Sequence, residues 1–150
     1  MRVAVFDAVS LDVRAWLRYS FGPPSMMRCP KCGDELRPVR VDDTEVDRCQ
    51  GCHGLWFDAR ELERLRGRPA AEVIDDGDAK VGRALDGQTR VSCPKCRVPM
   101  VRMLDHEQRH VWIERCATCG GTWLDAGEFR DLSHFWIGDV IKGWFARARR

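Results

Sequence analysis

The chain has no long apolar segment. No run of about 18 apolar residues, the length that a helix needs to cross a bilayer, occurs among its 150 residues. We therefore expect neither a membrane-spanning helix nor a membrane partner. The first 27 residues also lack the apolar centre of a secretory signal, because Asp7, Asp12, Arg14 and Arg18 interrupt it. These absences predict a soluble protein that stays in the cytoplasm.

A large charge of one sign and the common catalytic signatures are missing as well. The 25 basic and 23 acidic residues nearly balance, for a formal net charge of +2. No phosphate-binding glycine loop, no H-E-x-x-H helix and no recognisable Ser/His/Asp arrangement is found. The sequence therefore predicts a protein without enzymatic activity.

Cysteine, in contrast, is abundant and regularly spaced. Cytoplasmic thiols stay reduced, so eight cysteines in four C-x-x-C pairs indicate metal binding rather than disulfides. The pairs form two units, C-x2-C-x16-C-x2-C and C-x2-C-x19-C-x2-C, and each unit supplies the four thiolates that a closed tetrahedral zinc site requires. We predict two Zn2+ per chain. The candidate ligands are Cys29, Cys32, Cys49 and Cys52 in the first unit and Cys93, Cys96, Cys116 and Cys119 in the second.

The two units are an internal repeat. After the last cysteine of each, HGLWFDARELERL (53–65) aligns without a gap with GGTWLDAGEFRDL (120–132). Unit one spans 29–66 and unit two 93–133, and the three extra residues of unit two lie between its cysteine pairs.

Between its cysteine pairs, each unit predicts a β-hairpin, because polar turn residues separate two alternating segments. The first hairpin would join LRPVRV (36–41) to EVDRC (45–49) through a turn at 42–44. The second would join MVRMLD (100–105) to HVWIERC (110–116) through a turn at 106–108.

A helix start follows each second cysteine pair. An Asp and a Glu three positions later would form a capping box, and a Trp two residues before the Asp would pack the helix onto the hairpin. These residues are Trp56, Asp58 and Glu61 in unit one and Trp123, Asp125 and Glu128 in unit two.

An alternative interpretation concerns the stretch CQGCHGLWFD (49–58). Cys49, Cys52 and His53 spell C-x-x-C-H, the attachment pattern of a c-type haem. Unit two has Gly120 in place of His53, so the repeat does not require the histidine, and haem would take two cysteines from the first zinc site. We therefore favour zinc and expect His53 to be solvated or to lie beside the ligands.

The motifs CPKCG…RCQGCHGLWFDARELERL and CPKC…RCATCGGTWLDAGEFRDL resemble the bacterial zinc-ribbon proteins named for their similarity to the ribbon of transcription factor IIB. That family's pattern is CPxC, then C-x-x-C-G-G, then W-L-D-x-G-E-L. Unit one departs from it at His53, Phe57 and Arg60, none of which is a candidate ligand. The resemblance implies a small, metal-stabilised α+β fold of two tandem zinc ribbons, metal binding at the eight cysteines, and a link to transcription.

Three segments lie outside the repeats. Residues 1–28 are predicted to be an N-terminal extension, although Met26 or Met27 would be a natural translation start. Residues 67–92 read as a linker with room for a short helix. Residues 134–150 predict an amphipathic basic helix that packs on the second ribbon, with partner docking or membrane-surface binding as alternatives.

For function, the sequence predicts an interaction module. Two zinc ions, each held by four thiolates, would lower the net charge from +2 to about −2, so we expect a protein partner before a nucleic acid. The alternative is a thiol-redox or zinc-responsive protein that uses its C-x-x-C pairs. The sequence leaves the oligomeric state open. Cations that could favour nucleic acid lie near each site, namely Arg28, Lys31, Arg37, Arg40 and Arg48, and Lys95, Arg97, Arg102, Arg109 and Arg115.

Overall fold

The computed structural model describes residues 27–134. Most of the N-terminal extension and nearly all of the C-terminal helix predicted at 134–150 lie outside the described residues. Among those described, no helix is long and apolar enough to span a bilayer. The strands are β1 (Leu36–Val41), β2 (Thr44–Cys49), β3 (Leu55–Phe57), β4 (Val101–Leu104), β5 (Trp112–Arg115) and β6 (Thr122–Leu124). The helices are α1 (Glu61–Leu65), α2 (Ala71–Ile74), α3 (Ala79–Leu85) and α4, which begins at 128 and continues to 134.

The six strands form one antiparallel sheet in the order β1-β2-β3-β6-β5-β4. The order mirrors the repeat, since each unit contributes a hairpin and a third strand. The third strands β3 and β6 pair at the centre, where Trp56 lies opposite Trp123. The small α+β fold of two zinc ribbons is thus confirmed, and the ribbons are joined through an approximate two-fold axis into a single sheet.

Both predicted hairpins are present, with different lengths. In the first, Val41 pairs with Thr44 across a two-residue turn in which Asp42 has a φ of 54°. The second covers only 101–104 and 112–115. It is shorter than the sequence indicates because the Asp105 carboxylate accepts the backbone N–H groups of Glu107 and Gln108, which bends the chain away from the ladder.

The central strands separate two apolar layers. Because successive side chains of a strand point to opposite faces, Leu55 and Phe57 pack under the helices while Trp56 faces the cysteines. The rings of Phe57 and Phe129 lie 5.1 Å apart at the base of α4. The prediction that Trp56 and Trp123 pack the helices onto the ribbons is therefore wrong.

Only half of each predicted capping box is formed. The Glu61 carboxylate accepts the Asp58 backbone N–H at 2.7 Å, as predicted. The Asp58 carboxylate accepts the indole N–H of Trp56 at 3.0 Å and does not cap α1. The reason is that Arg60, with a φ of 72°, precedes the helix in a left-handed conformation, so the helix begins at Glu61, three residues after Asp58.

The second repeat has the same arrangement. The Asp125 carboxylate accepts the Trp123 indole N–H at 2.8 Å, and Glu128 accepts the Asp125 backbone N–H at 2.7 Å. Gly127, with a φ of 92°, stands where unit one has Arg60. The two repeats therefore share one geometry, in which the Asp carboxylate orients the Trp ring and the Glu carboxylate accepts the backbone N–H of that Asp.

Residues 67–92 are part of the fold. They include α2 and α3, and Ala71 and Ile74 lie in the same core cluster as Phe57. The Asp75 carboxylate is fully buried and accepts the backbone N–H groups of Gly127 at 2.8 Å and Arg130 at 3.0 Å, where α4 begins. The segment that the sequence suggests as a linker therefore supplies the cap of unit two's helix.

Candidate metal centres

The four C-x-x-C pairs adopt one recurring turn. The backbone N–H of the first cysteine donates to the carbonyl oxygen five residues later, as from Cys29 to Asp34 at 2.7 Å and from Cys116 to Gly121 at 2.9 Å. The residue before that carbonyl has a positive φ in all four turns. These residues are Gly33 (82°), His53 (58°), Arg97 (60°) and Gly120 (73°).

Two of these turns therefore hold a side chain in a conformation that suits glycine. A left-handed backbone brings Cβ close to the following carbonyl oxygen and costs about 1 kcal/mol for a residue other than Gly. His53 and Arg97 adopt it nonetheless, because the two cysteines that precede each of them fix the turn. Arg97 does not alter the turn of unit two, contrary to what its replacement of glycine suggests.

In the first unit, the four thiols converge. The Sγ atoms of Cys29 and Cys52 lie 3.5 Å apart and those of Cys32 and Cys49 lie 3.3 Å apart, with all four within 4.8 Å of one another. A tetrahedral zinc ion with Zn–S bonds of about 2.3 Å has sulfur–sulfur separations of about 3.8 Å. The first site is therefore positioned to bind one zinc ion.

The second unit repeats the geometry. The Sγ atoms of Cys93 and Cys119 are 3.7 Å apart, and Cys96 and Cys116 complete a group within 4.8 Å. All eight cysteines are free thiols. The chain thus holds two four-cysteine clusters, each able to bind one zinc ion, and Cys49 and Cys52 belong to the first cluster rather than to a haem site.

Backbone N–H groups support the sulfurs. Lys31 and Cys32 donate to the Cys29 Sγ at 3.4 and 3.3 Å, and Gly51 and Cys52 donate to the Cys49 Sγ, both at 3.4 Å. Each turn therefore directs partial positive charge at its first thiolate, which stabilises the form that binds metal.

The thiols of site one favour a shared cation. A hydrogen bond from Cys52 lowers the pKa of the Cys29 thiol to about 6. Burial raises the pKa of Cys32 to about 12, and the negative charge of Cys29 adds to the shift. The second ionisation is opposed by burial and by the first thiolate, and a divalent ion relieves both effects because it neutralises the thiolates together.

In site two, as in site one, the pKa of one thiol is lowered and that of another is raised. Burial opposes ionisation of the Cys116 thiol, but the backbone N–H groups of Cys119 and Thr118 lower its pKa to about 7. A hydrogen bond with Cys119 raises the pKa of the Cys96 thiol to about 12. Both donor sets therefore suit a metal that bridges all four sulfurs.

His53 is held away from the thiols. Its Nδ1 lies 2.9 Å from the Asp76 carboxylate, and the side chain is half exposed. Arg48 pairs with the same carboxylate at 2.7 Å. His53 thus links the first metal turn to the segment before α3, and the four cysteines remain the donors.

A buried ion network, which sequence reasoning missed, connects the first metal turn to the second ribbon. The Lys31 ammonium lies 2.8 Å from Glu114 and 3.1 Å from Asp125, and all three side chains are at most 2% exposed. Its counterpart in unit two, Lys95, lies 2.5 Å from Asp58 with both side chains about 40% exposed. The CPKC repeat is the sequence signal for both lysines, but it gives no indication that only one is buried.

Comparison with known proteins agrees with this geometry. A family model described as "Transcription factor zinc-finger", the zinc ribbon of the transcription factor IIB type, matches residues 28–67 and 92–133. The two matches coincide with the two ribbons and together cover more than half of the chain. No curated protein and no solved structure matches.

Proposed function

Since the chain belongs to the transcription factor zinc-finger family of zinc ribbons, we propose that it is a non-catalytic module whose zinc-stabilised sheet binds another protein. Each metal centre has four cysteine donors, which fill a tetrahedral site and leave no position for a substrate. The zinc ions would cross-link the turns that hold the sheet together.

The edge strand β4 carries the proposal. An edge strand presents unpaired backbone N–H and C=O groups, and β4 combines these with exposed apolar side chains at Val101 (52%), Met103 (41%) and Leu104 (41%). Such an edge can pair with a strand from another protein, with the side chains adding specificity.

The opposite edge, β1, lacks these properties. Pro38 removes a backbone donor, and Arg37 and Arg40 place charges along the strand. Prolines and charges are features that discourage pairing with other strands. The contrast between two edges of one pseudo-symmetric sheet favours β4 as the interacting surface.

Nucleic acid is a weaker candidate because most of the clustered cations have carboxylate partners. Of the ten cations near the zinc sites, seven make ion pairs among residues 27–134. Paired cations contribute less to the positive field that attracts phosphates. The seven are Lys31, Arg37, Arg40, Arg48, Lys95, Arg102 and Arg115.

The proposal is tested by capturing partners with the zinc-loaded chain and with a β4 variant. Val101→Lys should reduce recovery of a specific partner at least about tenfold, because a charged edge discourages strand pairing. Val73→Lys is the matched control, since Val73 is 65% exposed and lies on α2. The family's description makes proteins of the transcription apparatus the first partners to seek.

Equal recovery with all three baits would contradict docking at β4. A parallel measurement uses labelled single-stranded and duplex DNA of about 30 nucleotides at physiological salt. Binding tighter than about 1 µM would favour the nucleic-acid alternative, because non-specific contacts alone give dissociation constants of about 1–100 µM.

A further inference from the structure

The two metal centres differ in the exposure of one ligand. Cys32 is the only exposed cysteine of the eight, all of which lie in the described part of the chain. Its counterpart in the repeat, Cys96, is partly buried and packs, as Cys119 does, against the cluster of buried cysteines and tryptophans. The sulfur of Cys32 therefore faces solvent, whereas the outer sulfurs of site two are backed by apolar side chains.

The residue beside this ligand differs as well. Asp34 stands two positions after Cys32, and Val98 stands at the equivalent position after Cys96. The Cys32 thiol donates a hydrogen bond to the Asp34 carboxylate at 3.7 Å, and Asp34 is itself exposed. Val98 instead packs against the same cluster as Cys96. A charged hydrogen-bond acceptor thus lies at the opening of site one, and an apolar side chain lies at the opening of site two.

The Asp34 carboxylate also reaches the second metal turn of site one. It lies so close to Gly51 that a β carbon added there would overlap its Oδ2 atom. Gly51 directly precedes the ligand Cys52, so the carboxylate lies between the two turns that hold the site. Unit two has Thr118 in place of this glycine. The carboxylate and the space that admits it are therefore features of site one and not of the repeat.

A carboxylate in this position favours departure of the neighbouring ligand. Zinc held by four thiolates has a net charge of about −2, and a further negative charge nearby is repelled by it. A detached Cys32 thiol can donate to the Asp34 carboxylate, as it does in the structure, and this bond stabilises the detached form. Cys29 and Cys49 instead each accept two backbone N–H groups, which stabilise them as thiolate ligands. Cys32 is thus the ligand of site one with most to favour its release.

We propose that Cys32 is an exchange ligand, which a thiol of another molecule replaces on the zinc of site one while site two keeps its metal. The incoming thiol forms one zinc–sulfur bond as the bond to Cys32 breaks, and the proton that the incoming thiol loses ends on Cys32. Four thiolates hold the zinc before and after this step, and no electron is transferred. Site one can then receive zinc from a thiol-bearing carrier or pass zinc to one, which is a role separate from docking at β4.

The experiment follows replacement of zinc by cadmium in the full, zinc-loaded chain, with glutathione as the incoming thiol. Native mass spectrometry counts the zinc and cadmium ions on each chain, since cadmium is a soft ion that thiolates also bind. We expect two phases of one metal each, and a fast phase whose rate rises with the glutathione concentration. The two rates should differ about tenfold or more, because one hydrogen bond to a charged group supplies a factor of that size.

Substitutions assign the fast phase to its site. Asp34→Val gives site one the residue of site two and should slow the fast phase about tenfold. Val98→Asp is the reciprocal change and should accelerate the slow phase. Asp43→Val is the matched control, because Asp43 is 85% exposed in the turn at the far end of the same hairpin, and it should leave both rates unchanged. Two bound zinc ions and an unchanged β-sheet circular dichroism signal show that each variant is folded before exchange begins.

Each contrary outcome has a definite meaning. Equal rates for the two metals would overturn the proposal, as would an unchanged fast phase in Asp34→Val. A fast phase that does not depend on glutathione would also overturn it, because metal loss would then precede arrival of the thiol. As a second measurement, limited alkylation of the zinc-loaded chain with iodoacetamide should modify Cys32 before the other cysteines. First modification at Cys96 or Cys119 would place the exchanging ligand in unit two and contradict the proposal.

Discussion

The indole ring of Trp56 lies against the backbone of Gly121, so close that a β carbon at position 121 would be 2.2 Å from Cζ2 of the ring. The relationship is reciprocal, since a β carbon at Gly54 would be 2.3 Å from Cζ2 of Trp123. Each ribbon therefore places its tryptophan over the glycine that follows the last cysteine turn of the other. Together with the β3–β6 pairing, this exchange makes one core from two repeats.

Gly121→Ala should destabilise the protein by about 2 kcal/mol or more, because the new methyl group requires the Trp56 ring to move within a packed core. Gly54→Ala should have a similar effect through Trp123. The free energy of unfolding, from denaturant titration of the zinc-loaded chain, is the measurement. Gly87→Ala is the control and should be neutral, because a β carbon there meets nothing within 4 Å. Wild-type stability for Gly121→Ala would show that the rings do not hold the ribbons together.

Disruption of either zinc site should release the zinc ions of both sites. The sequence alone favours two separate ribbons, in which Cys49→Ser would unfold unit one and leave the zinc of unit two in place. In the structure, Cys49 ends a strand of the shared sheet, and Lys31, between the first two ligands, pairs with Glu114 and Asp125 of the second ribbon. Because metal binding and folding are coupled, we expect Cys49→Ser and Cys116→Ser to lower the zinc content equally, from two per chain to well below one. A chain that keeps one zinc ion and half of its β-sheet signal would contradict this.

The residues whose roles sequence reasoning established are those whose chemistry is local. The spacing of Cys29 to Cys52 and of Cys93 to Cys119 is enough to predict two zinc sites, because each turn positions its own pair of thiols. The direction of Trp56 could not be predicted, since it depends on a three-residue strand that lies between β2 of its own ribbon and β6 of the other. Asp75 was missed for a related reason. A carboxylate in a polar, irregular segment gives no local sign that it caps a helix 53 residues later in the chain.

Lys31→Met should destabilise the fold far more than Lys95→Met, although both lysines occupy the same place in a CPKC motif. Removal of Lys31 leaves Asp125 buried without its cation and leaves Glu114 with the Arg102 guanidinium, 3.6 Å away; loss of one partner of a buried pair costs about 3–5 kcal/mol. Lys95 and Asp58 are partly exposed, so their pair contributes less than about 1 kcal/mol. Chemical denaturation with both zinc ions bound measures the difference. Similar losses of unfolding free energy in the two variants would mean that burial of the Lys31 network does not add to its contribution to stability.

The gap between these two variants should widen as pH rises above about 4 to 5, where the unfolded chain loses the protons of its acidic side chains. Burial raises the pKa of Glu114 and of Asp125 above their usual values of 4.5 and 3.8, and Lys31 opposes that shift. An acid with a raised pKa in the folded state holds its proton while the unfolded chain has lost its own, so stability falls as pH increases above the unfolded value. Lys31→Met removes the opposing cation from two fully buried acids and strengthens this dependence. Lys95→Met does the same for Asp47 and Glu61, which are only partly buried, so its effect should be smaller. Because the thiolate ligands are the same in both variants, their pH dependence cancels in the difference, and a constant gap would contradict the prediction.

Arg97→Gly should stabilise the protein, which is unusual for a residue next to a metal ligand. Arg97 has a φ of 60° in the turn where Gly33 serves the first site with a φ of 82°. Glycine removes a backbone strain of about 1 kcal/mol, and the gain is partly offset by the greater freedom of glycine in the unfolded chain. Gly33→Ala provides the reciprocal test. A β carbon at Gly33 meets nothing within 4 Å, so any loss of stability reports the left-handed backbone alone. If the unfolding free energy rises in Arg97→Gly and falls in Gly33→Ala, the backbone strain is established. A loss of stability in Arg97→Gly would contradict the prediction, because it would show that the arginine side chain stabilises the turn by more than the left-handed backbone destabilises it.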